Sequence, residues 1–347
     1  MKLRRETKKI KIGNVFIGGN GPILIQSMLD KSSDDIKANI EQAKELETAG
    51  CQILRVAVPD LKSVALISIL KRFIKIPLVA DVHFDYNIAI ESIYAGADKI
   101  RINPGNIEKN NLAKIANICL QKNIPVRIGV NDGSVNKRFL EKYGDTAEAM
   151  VASIINTVNL FEDLGFNQIV ISIKSSDIYK NIKAYEKISS LYSYPLHIGI
   201  TESGTENYGI VKSCVGIGSL LTRGIGDTIR VSLSSDHKKE IEVGYQILKS
   251  LGLLNCVEVI SCPTCGRCTL DVKKLALEIE NFTQKIRRKL KIAVMGCPVN
   301  GPGEARNADL AISGSNGIGL IFKKGEIIKK VPQNKLLEEL KKLIFEL

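Results

Sequence analysis

The sequence predicts a parallel (β/α)8 TIM barrel followed by a small α+β domain. Between residues 22 and about 250, eight short segments, most rich in β-branched residues, alternate with amphipathic helical patterns, as a barrel requires. The first of these segments is not followed by Gly-x-Gly-x-x-Gly, which disfavours the competing doubly wound sheet. Around Leu251–Asn255 the alternation stops and a different pattern begins. The expected division is therefore a substrate-binding barrel over residues 1–252 and a second domain over 253–347.

The expected strands, in order, are Pro22–Met28, Gln52–Val58, Pro77–His83, Lys99–Asn103, Pro125–Asn131, Gln168–Lys174, Pro195–Thr201 and Thr228–Ser234. Most are followed by a helical period, such as Asp34–Ala49 or Ala147–Leu164, and Gly50, Gly96 and Gly165 supply helix ends. In the second domain, Val257–Ile260 and Lys291–Met295 read as strands flanking a long basic helix over Leu270–Leu290. Strands Asp309–Ser313 and Ile318–Phe322 follow, then a helix from about Asn334.

Composition narrows the function. The chain has 347 residues, 44% hydrophobic, and no run of about 18 apolar residues, so no membrane span is expected. The basic N-terminus lacks an apolar stretch and is neither a secretory signal nor a transit peptide, so a cytoplasmic, bacterial protein is expected. The net charge of +12 is spread over helix faces and both termini, and aromatics are only 5% with no Trp. That is a solvated lysine-rich surface, suited to acidic small molecules or an acidic electron donor rather than nucleic acid. Eight cysteines without a secretory signal argue against a disulfide framework. Cys51, Cys119 and Cys214 read as small buried hydrophobes.

Barrel enzymes work at the C-terminal ends of their strands. Reading those ends gives Gln26 and Ser27; Arg55; Asp81 and His83; Arg101 and Asn103; Arg127 and Asn131; Lys174; Thr201 and Glu202; Arg230 and Ser232. Five cations against two acids, Asp81 and Glu202, require an anionic ligand, because clustered buried cations are costly without compensating charge. Guanidinium forks match phosphate geometry, so a phosphate ester is expected. Glu202 sits among small residues, where an acid has a proton-transfer or hydroxyl-binding task; Asp81 reads the same way.

The second domain carries Cys262, Cys265, Cys268 and Cys297. Cys262-x2-Cys265-x2-Cys268 starts like a ferredoxin run, but the fourth position is Val272. Two readings compete: zinc held by the four thiolates, or an iron–sulfur cluster. The turn-forming stretch Asn300-Gly301-Pro302-Gly303-Glu304 favours the cluster, since it could return Glu304 to Cys297. A carboxylate suits a replaceable iron ligand better than a structural zinc.

Three motifs carry a family resemblance: Ser261-Cys262-Pro263-Thr264-Cys265-Gly266-Arg267, Met295–Ala305 and Gly226–Leu233. Ala80–Asp85, Arg101–Asn106 and Val126–Asn131 support it. Over nearly its whole length the chain resembles the 4-hydroxy-3-methylbut-2-enyl diphosphate synthase family, in its shorter two-domain form. The resemblance implies reductive ring opening and dehydration of 2-C-methyl-D-erythritol 2,4-cyclodiphosphate in isoprenoid precursor biosynthesis. It implies a [4Fe–4S] cluster on Cys262, Cys265, Cys297 and Glu304, with Cys268 as an extra thiol. It implies a diphosphate held by Arg55, His83, Arg101, Asn103, Arg127, Asn131, Lys174, Thr201, Arg230 and Ser232, and proton delivery by Glu202 with Asp81. Reduced flavodoxin or ferredoxin would be the electron donor. A homodimer would form in which each cluster domain caps the partner's barrel.

Overall fold

The computed structural model describes residues 4–105, 107–298, 301–315 and 317–347. Asn106, Val299 and Asn300, which belong to two of the motifs above, lie outside the described residues. The chain divides into two compact units, Met1–Ile247 and Leu248–Leu347.

The first unit opens with a hairpin that the sequence reading passed over, β1 (Ile10–Ile12) and β2 (Val15–Ile17). Gly13, at a φ of 54°, makes its turn. Ile10, Ile12 and Ile17 pack with Leu24, Ile53, Val79 and Val170, which lie near the starts of four barrel strands. The hairpin thus closes the N-terminal end of the barrel with an apolar plug, leaving the other end for chemistry.

The barrel strands are β3 (Leu24–Met28), β4 (Ile53–Ala57), β5 (Leu78–Val82), β6 (Lys99–Ile102), β7 (Val126–Asn131), β8 (Ile169–Lys174), β9 (His197–Ile198) and β10 (Thr228–Ile229). All pairings are parallel, in the order β8-β7-β6-β5-β4-β3-β10-β9. A single bridge between Ile171 and Leu196 brings β9 back to β8. All eight strand positions were legible, but the last two strands are shorter than expected. After Ile198 and Ile229 the chains leave the ladder, with Arg230 N donating to Ile198 O at 3.1 Å as the last link.

Each strand is followed by at least one helix. The helices start on short acids or hydroxyls: Asp35 accepts from Ala38 N, Asp177 from Lys180 N and Thr146 from Ala149 N. Gly50, Gly96 and Gly165 take positive φ at three of the ends.

The second unit is a five-stranded sheet, β11 (Val257–Ser261), β12 (Leu290–Val294), β13 (Leu310–Ser315), β14 (Ile318–Lys323) and β15 (Glu326–Pro332). The first three run parallel and the last two antiparallel. Alternation sorts its faces. Leu290, Ile292, Val294, Leu310 and Ile312 pack under helices Val272–Thr283 and Leu336–Glu346. Ala293, Met295 and Ala311 meet Ala305 of the short helix Gly301–Arg306 on the other face. The expected helix over Leu270–Leu290 is shorter, Val272–Thr283, because residues 284–289 must turn the chain back for β12 to start at Leu290. The strand β15 had not been expected.

No helix among the described residues is long and apolar enough to cross a membrane. One cysteine departs from expectation. Cys51 and Cys119 are buried, but Cys214 is exposed, on helix Glu206–Leu221, whose buried face runs through Ser213, Gly216 and Ile217 instead.

Candidate active site

Parallel register aligns the charged residues across the barrel. Asp81 on β5 pairs with Arg101 on β6, and Arg101 pairs with Arg127 on β7, so three charges stand side by side at one height. Asn131 and Lys174 are partners two pleat repeats higher. Arg55, Asp81, His83, Arg101, Arg127, Asn131, Lys174, Thr201, Arg230 and Ser232 line one cavity of about 200 Å³ at the C-terminal ends of the strands. Four residues read at the strand ends are not among its lining: Gln26 and Ser27, both buried on β3, and Asn103 and Glu202. Asn103 is buried, and its side chain accepts from Gly105 N at 3.2 Å, shaping the turn after β6. Glu202 is exposed next to Thr201, at a φ of 51° that non-glycine residues rarely adopt.

Asp81 is an ion-pair hub. Its carboxylate meets Arg101 at 3.0 Å, Arg55 at 3.5 Å and His83 at 3.5 Å. Burial alone would raise its pKa, but Arg55, Arg101 and His83 more than reverse this and hold it well below the usual carboxylate range. An acid so placed is a permanent anion that orients two guanidiniums. It is a poor proton store, which corrects the proton-delivery role expected of it.

The second counter-ion was not found from the sequence. Glu240, on helix His237–Ser250, is buried; it takes Arg230 at 3.3 Å and accepts from Leu233 N at 3.0 Å. Nothing in its local sequence marks it, because its partner, Arg230, lies just past β10, ten positions earlier. Met28 and Ser172 also line the cavity. Met28 sulfur takes N–H groups from Arg55 at 2.8 Å and 3.2 Å. Period-two alternation from Gln26 and from Lys174 would have pointed to both.

In the lining and just beneath it, the cations are short of partners. Lys99 Nζ, Arg127 Nε and Nη1 and Arg101 Nε are buried without a hydrogen-bond partner among the described residues. Buried donors are normally paired, so this arrangement is built for an anion. Glycines make room for it. A side chain at Gly129 would meet Ser172 Oγ at 2.8 Å and Arg101 Nε at 3.1 Å. One at Gly199 would meet Arg230 O at 2.5 Å and Lys174 Nζ at 2.8 Å.

In the second unit, Cys262 directly follows β11 and Cys297 follows β12, at the same end of adjacent parallel strands. Cys262, Cys265 and Cys297 line one cavity of about 160 Å³ with Arg267, Met295 and Gly296 among their neighbours. Thr264, at a φ of 66°, turns the loop between the first two thiols. Gly296 N donates to Cys262 Sγ at 3.3 Å, the kind of N–H···S contact that surrounds cluster-bound sulfur. Three convergent thiols with a backbone donor aimed at one sulfur fit an iron–sulfur group. No set of three His, Cys, Asp or Glu among the described residues is close enough to grip a single ion. Glu304 is exposed on the short helix and is not among the lining residues. Cys268 is not among them either; its Sγ donates to Leu270 O at 3.1 Å, and any Cβ at Gly296 would fall 2.2 Å from it. Cys268 is a packing residue under the Gly296 backbone.

Among known structures, the chain is similar in fold to dihydropteroate synthase from Yersinia pestis. The TM-score is 0.53 at 13% identity, covering 71% of this chain and 99% of that one. The sequence is similar to the 4-hydroxy-3-methylbut-2-en-1-yl diphosphate synthase (flavodoxin) of Caldanaerobacter subterraneus subsp. tengcongensis, with 56% identity over 99% of this chain and 98% of that protein. The protein of the same description from Halalkalibacterium halodurans is 50% identical over 98% of this chain and 94% of its own length. The GcpE TIM-barrel domain matches residues 7–245, and the GcpE protein C-terminal domain matches residues 258–346. The chain belongs to the GcpE family.

Proposed function

We propose that the chain is an iron–sulfur oxidoreductase that converts 2-C-methyl-D-erythritol 2,4-cyclodiphosphate to 4-hydroxy-3-methylbut-2-enyl diphosphate, with reduced flavodoxin or ferredoxin as donor. Two electrons and two protons enter, the cyclic carbon–oxygen bond breaks, and one water leaves. The observation that carries this reading is a barrel mouth with five cations in its lining and Asp81 as the lining's one carboxylate among the described residues. Its complement is the second cavity, edged by three thiols. The shared description of the relatives supports it.

In this reading Arg55, Arg101, Arg127, Lys174 and Arg230 neutralise the diphosphate, and His83, Asn131, Thr201 and Ser232 complete its hydrogen bonds. Asp81 and Glu240 hold the guanidiniums in place, and Asn103 shapes the loop beside them. Glu202 supplies a proton to the departing hydroxyl oxygen. Cys262, Cys265 and Cys297 would hold a [4Fe–4S] cluster, with Glu304 as its fourth, replaceable ligand. When bound, that cluster supplies electrons one at a time. Residues 1–252 would be the substrate-binding domain and 253–347 the cluster domain. The working form would be a homodimer in the cytoplasm, with each cluster domain capping the partner subunit's barrel. The test is anaerobic incubation with the cyclic diphosphate and reduced flavodoxin, followed by phosphorus NMR. Conversion of the cyclic resonances to those of the linear diphosphate supports the reading, and unchanged cyclic resonances with a fully loaded protein refute it.

A further inference from the structure

Lys174, which lines the cavity, and two buried groups behind it form a chain that the binding role alone does not require. Lys174 Nζ lies 3.3 Å from His197 Nε2, and His197 Nδ1 lies 2.8 Å from Thr228 Oγ1. His197 and Thr228 are fully buried register partners on β9 and β10, and Lys174 is almost as deep. An amine of lysine donates more readily than it accepts, so His197 Nε2 accepts from Lys174 and Nδ1–H donates to Thr228 Oγ1. The backbone is clamped around this chain. Tyr185 hydroxyl donates to His197 O at 2.7 Å and accepts from Ile173 N at 3.1 Å. The missing side chain at Gly199 lets Lys174 reach across β9.

Every other strand that faces the chain presents charge. Arg55 comes from β4, Lys99 and Arg101 from β6, Arg127 from β7, and Arg230 follows β10. The three buried acids are taken: Asp81 on β5 by Arg55, Arg101 and His83, Glu240 by Arg230 and His237, and Asp227, just before β10, by Arg4 at 2.9 Å and Leu196 N at 2.8 Å. Among the described residues no carboxylate pairs with Lys174. Guanidiniums do not give up their proton, so when five cations meet in an empty cavity the amine is the group that can.

We propose that Thr228, His197 and Lys174 form a proton-holding chain that couples entry of the anionic ligand to uptake of one proton at Lys174. The inference rests on the anion-binding reading of the barrel cavity. In the empty site, burial first and then Arg127, Arg230, Arg55 and Arg101 push the Lys174 amine well below its ordinary value. His197 is pushed down for the same reasons and stays neutral, an acceptor for Lys174. A bound dianion cancels the repulsion, the amine regains its usual basicity, and it takes its proton from solvent. His197 acts through Lys174 and is a positioning residue. Linkage sets the sign: between the lowered value and the ordinary lysine value of about 10.4, binding takes up a proton, and affinity falls up to about tenfold per pH unit.

The test is calorimetric titration of the full, oxidised, cluster-loaded chain with the cyclic diphosphate, without reductant, in buffers of different ionisation enthalpy at pH 8. The ligand's phosphate protons are lost far below neutrality, so any proton exchanged belongs to the protein. Wild type is expected to take up close to one proton per ligand. Lys174→Arg should bind without uptake, and His83→Gln should bind with uptake retained. His197→Leu removes the acceptor, so its affinity profile should move to lower pH, with at least threefold weaker binding at pH 8 and near-wild-type binding at pH 6. A structural role alone would weaken it equally at both. Wild-type binding with no net proton change overturns the proposal, even if every variant misfolds. Uptake lost in His83→Gln also overturns it. Failure of wild type to bind the cyclic diphosphate at all would instead overturn the anion-site reading beneath it.

Discussion

Asp81 and Arg101 are register partners on neighbouring parallel strands, and their side chains meet at 3.0 Å on the inner face of the barrel. Arg55 reaches the other oxygen of the same carboxylate at 3.5 Å. One buried anion therefore orients two of the cations that would hold a diphosphate. Its charge is expected to support both stability and binding geometry.

Replacing that charge should be costly. Asp81→Asn leaves Arg55 and Arg101 uncompensated, and removing one partner of a buried pair typically destabilises by about 3–5 kcal/mol. The Asp81 pKa is depressed in the folded state, so its contribution is fully present above the unfolded carboxylate value of about 3.9. It is lost as pH falls from there towards the folded value. Urea unfolding across pH should show a loss of about 3 kcal/mol at neutral pH and a flatter acid limb in the variant. The cyclic diphosphate should stabilise the variant more than wild type. An unchanged unfolding curve at neutral pH would contradict the hub role.

Glu240 acts at one remove from the ligand. It fixes Arg230 at 3.3 Å while accepting Leu233 N at 3.0 Å. Glu240→Gln keeps an acceptor for Leu233 N and Arg230 Nη2 but puts an NH2 donor where Oε2 takes Arg230 Nε, and it removes the charge, so Arg230 should lose its aim. Turnover is expected to show kcat/KM lowered by about ten- to a hundredfold, carried mainly by KM, since a misplacement of about 1 Å can cost up to about a hundredfold. A fall confined to kcat would assign Glu240 a different task.

The cysteines separate cleanly. Cys262 and Cys297 edge the second cavity, whereas Cys268 packs beneath Gly296 and bonds Leu270 O. Iron and sulfide analysis of anaerobically purified protein should find the cluster lost in Cys297→Ser and retained in Cys268→Ser. The reverse result would mean a ligand set slipped along the chain.

Glu304 is exposed on its short helix and is not among the residues lining the thiol cavity. As a replaceable ligand it should matter more to turnover than to assembly. Glu304→Ala is expected to lose at least tenfold in kcat while most iron and sulfide remain; loss of iron in proportion to activity would make it a structural ligand.

Much of this site was legible because a parallel barrel converts strand order into proximity. Arg55, Arg101, Arg127, Lys174 and Arg230 are far apart in the chain, yet each ends an apolar run, and the barrel brings such ends to one mouth. Glu240 and His197 were not legible. Glu240 is one helical acid among many, and only the return of its helix against β10 gives it Arg230. His197 reads as a strand-start histidine until register places Thr228 beside it. The hairpin β1–β2 was missed because three-residue strands carry too little pattern to register as alternation. Cys214 looked buried from its apolar neighbours, but the helix turned its other face to the barrel.

A cyclic diphosphate bound at the barrel mouth should be reduced rather than hydrolysed. The most direct measurement is the count of electrons drawn from reduced flavodoxin per linear diphosphate formed, with the anaerobic, cluster-loaded chain. Two electrons per product are expected, with no product without donor and no electron consumption without the cyclic substrate. Ring opening that proceeds with no electrons consumed would contradict this.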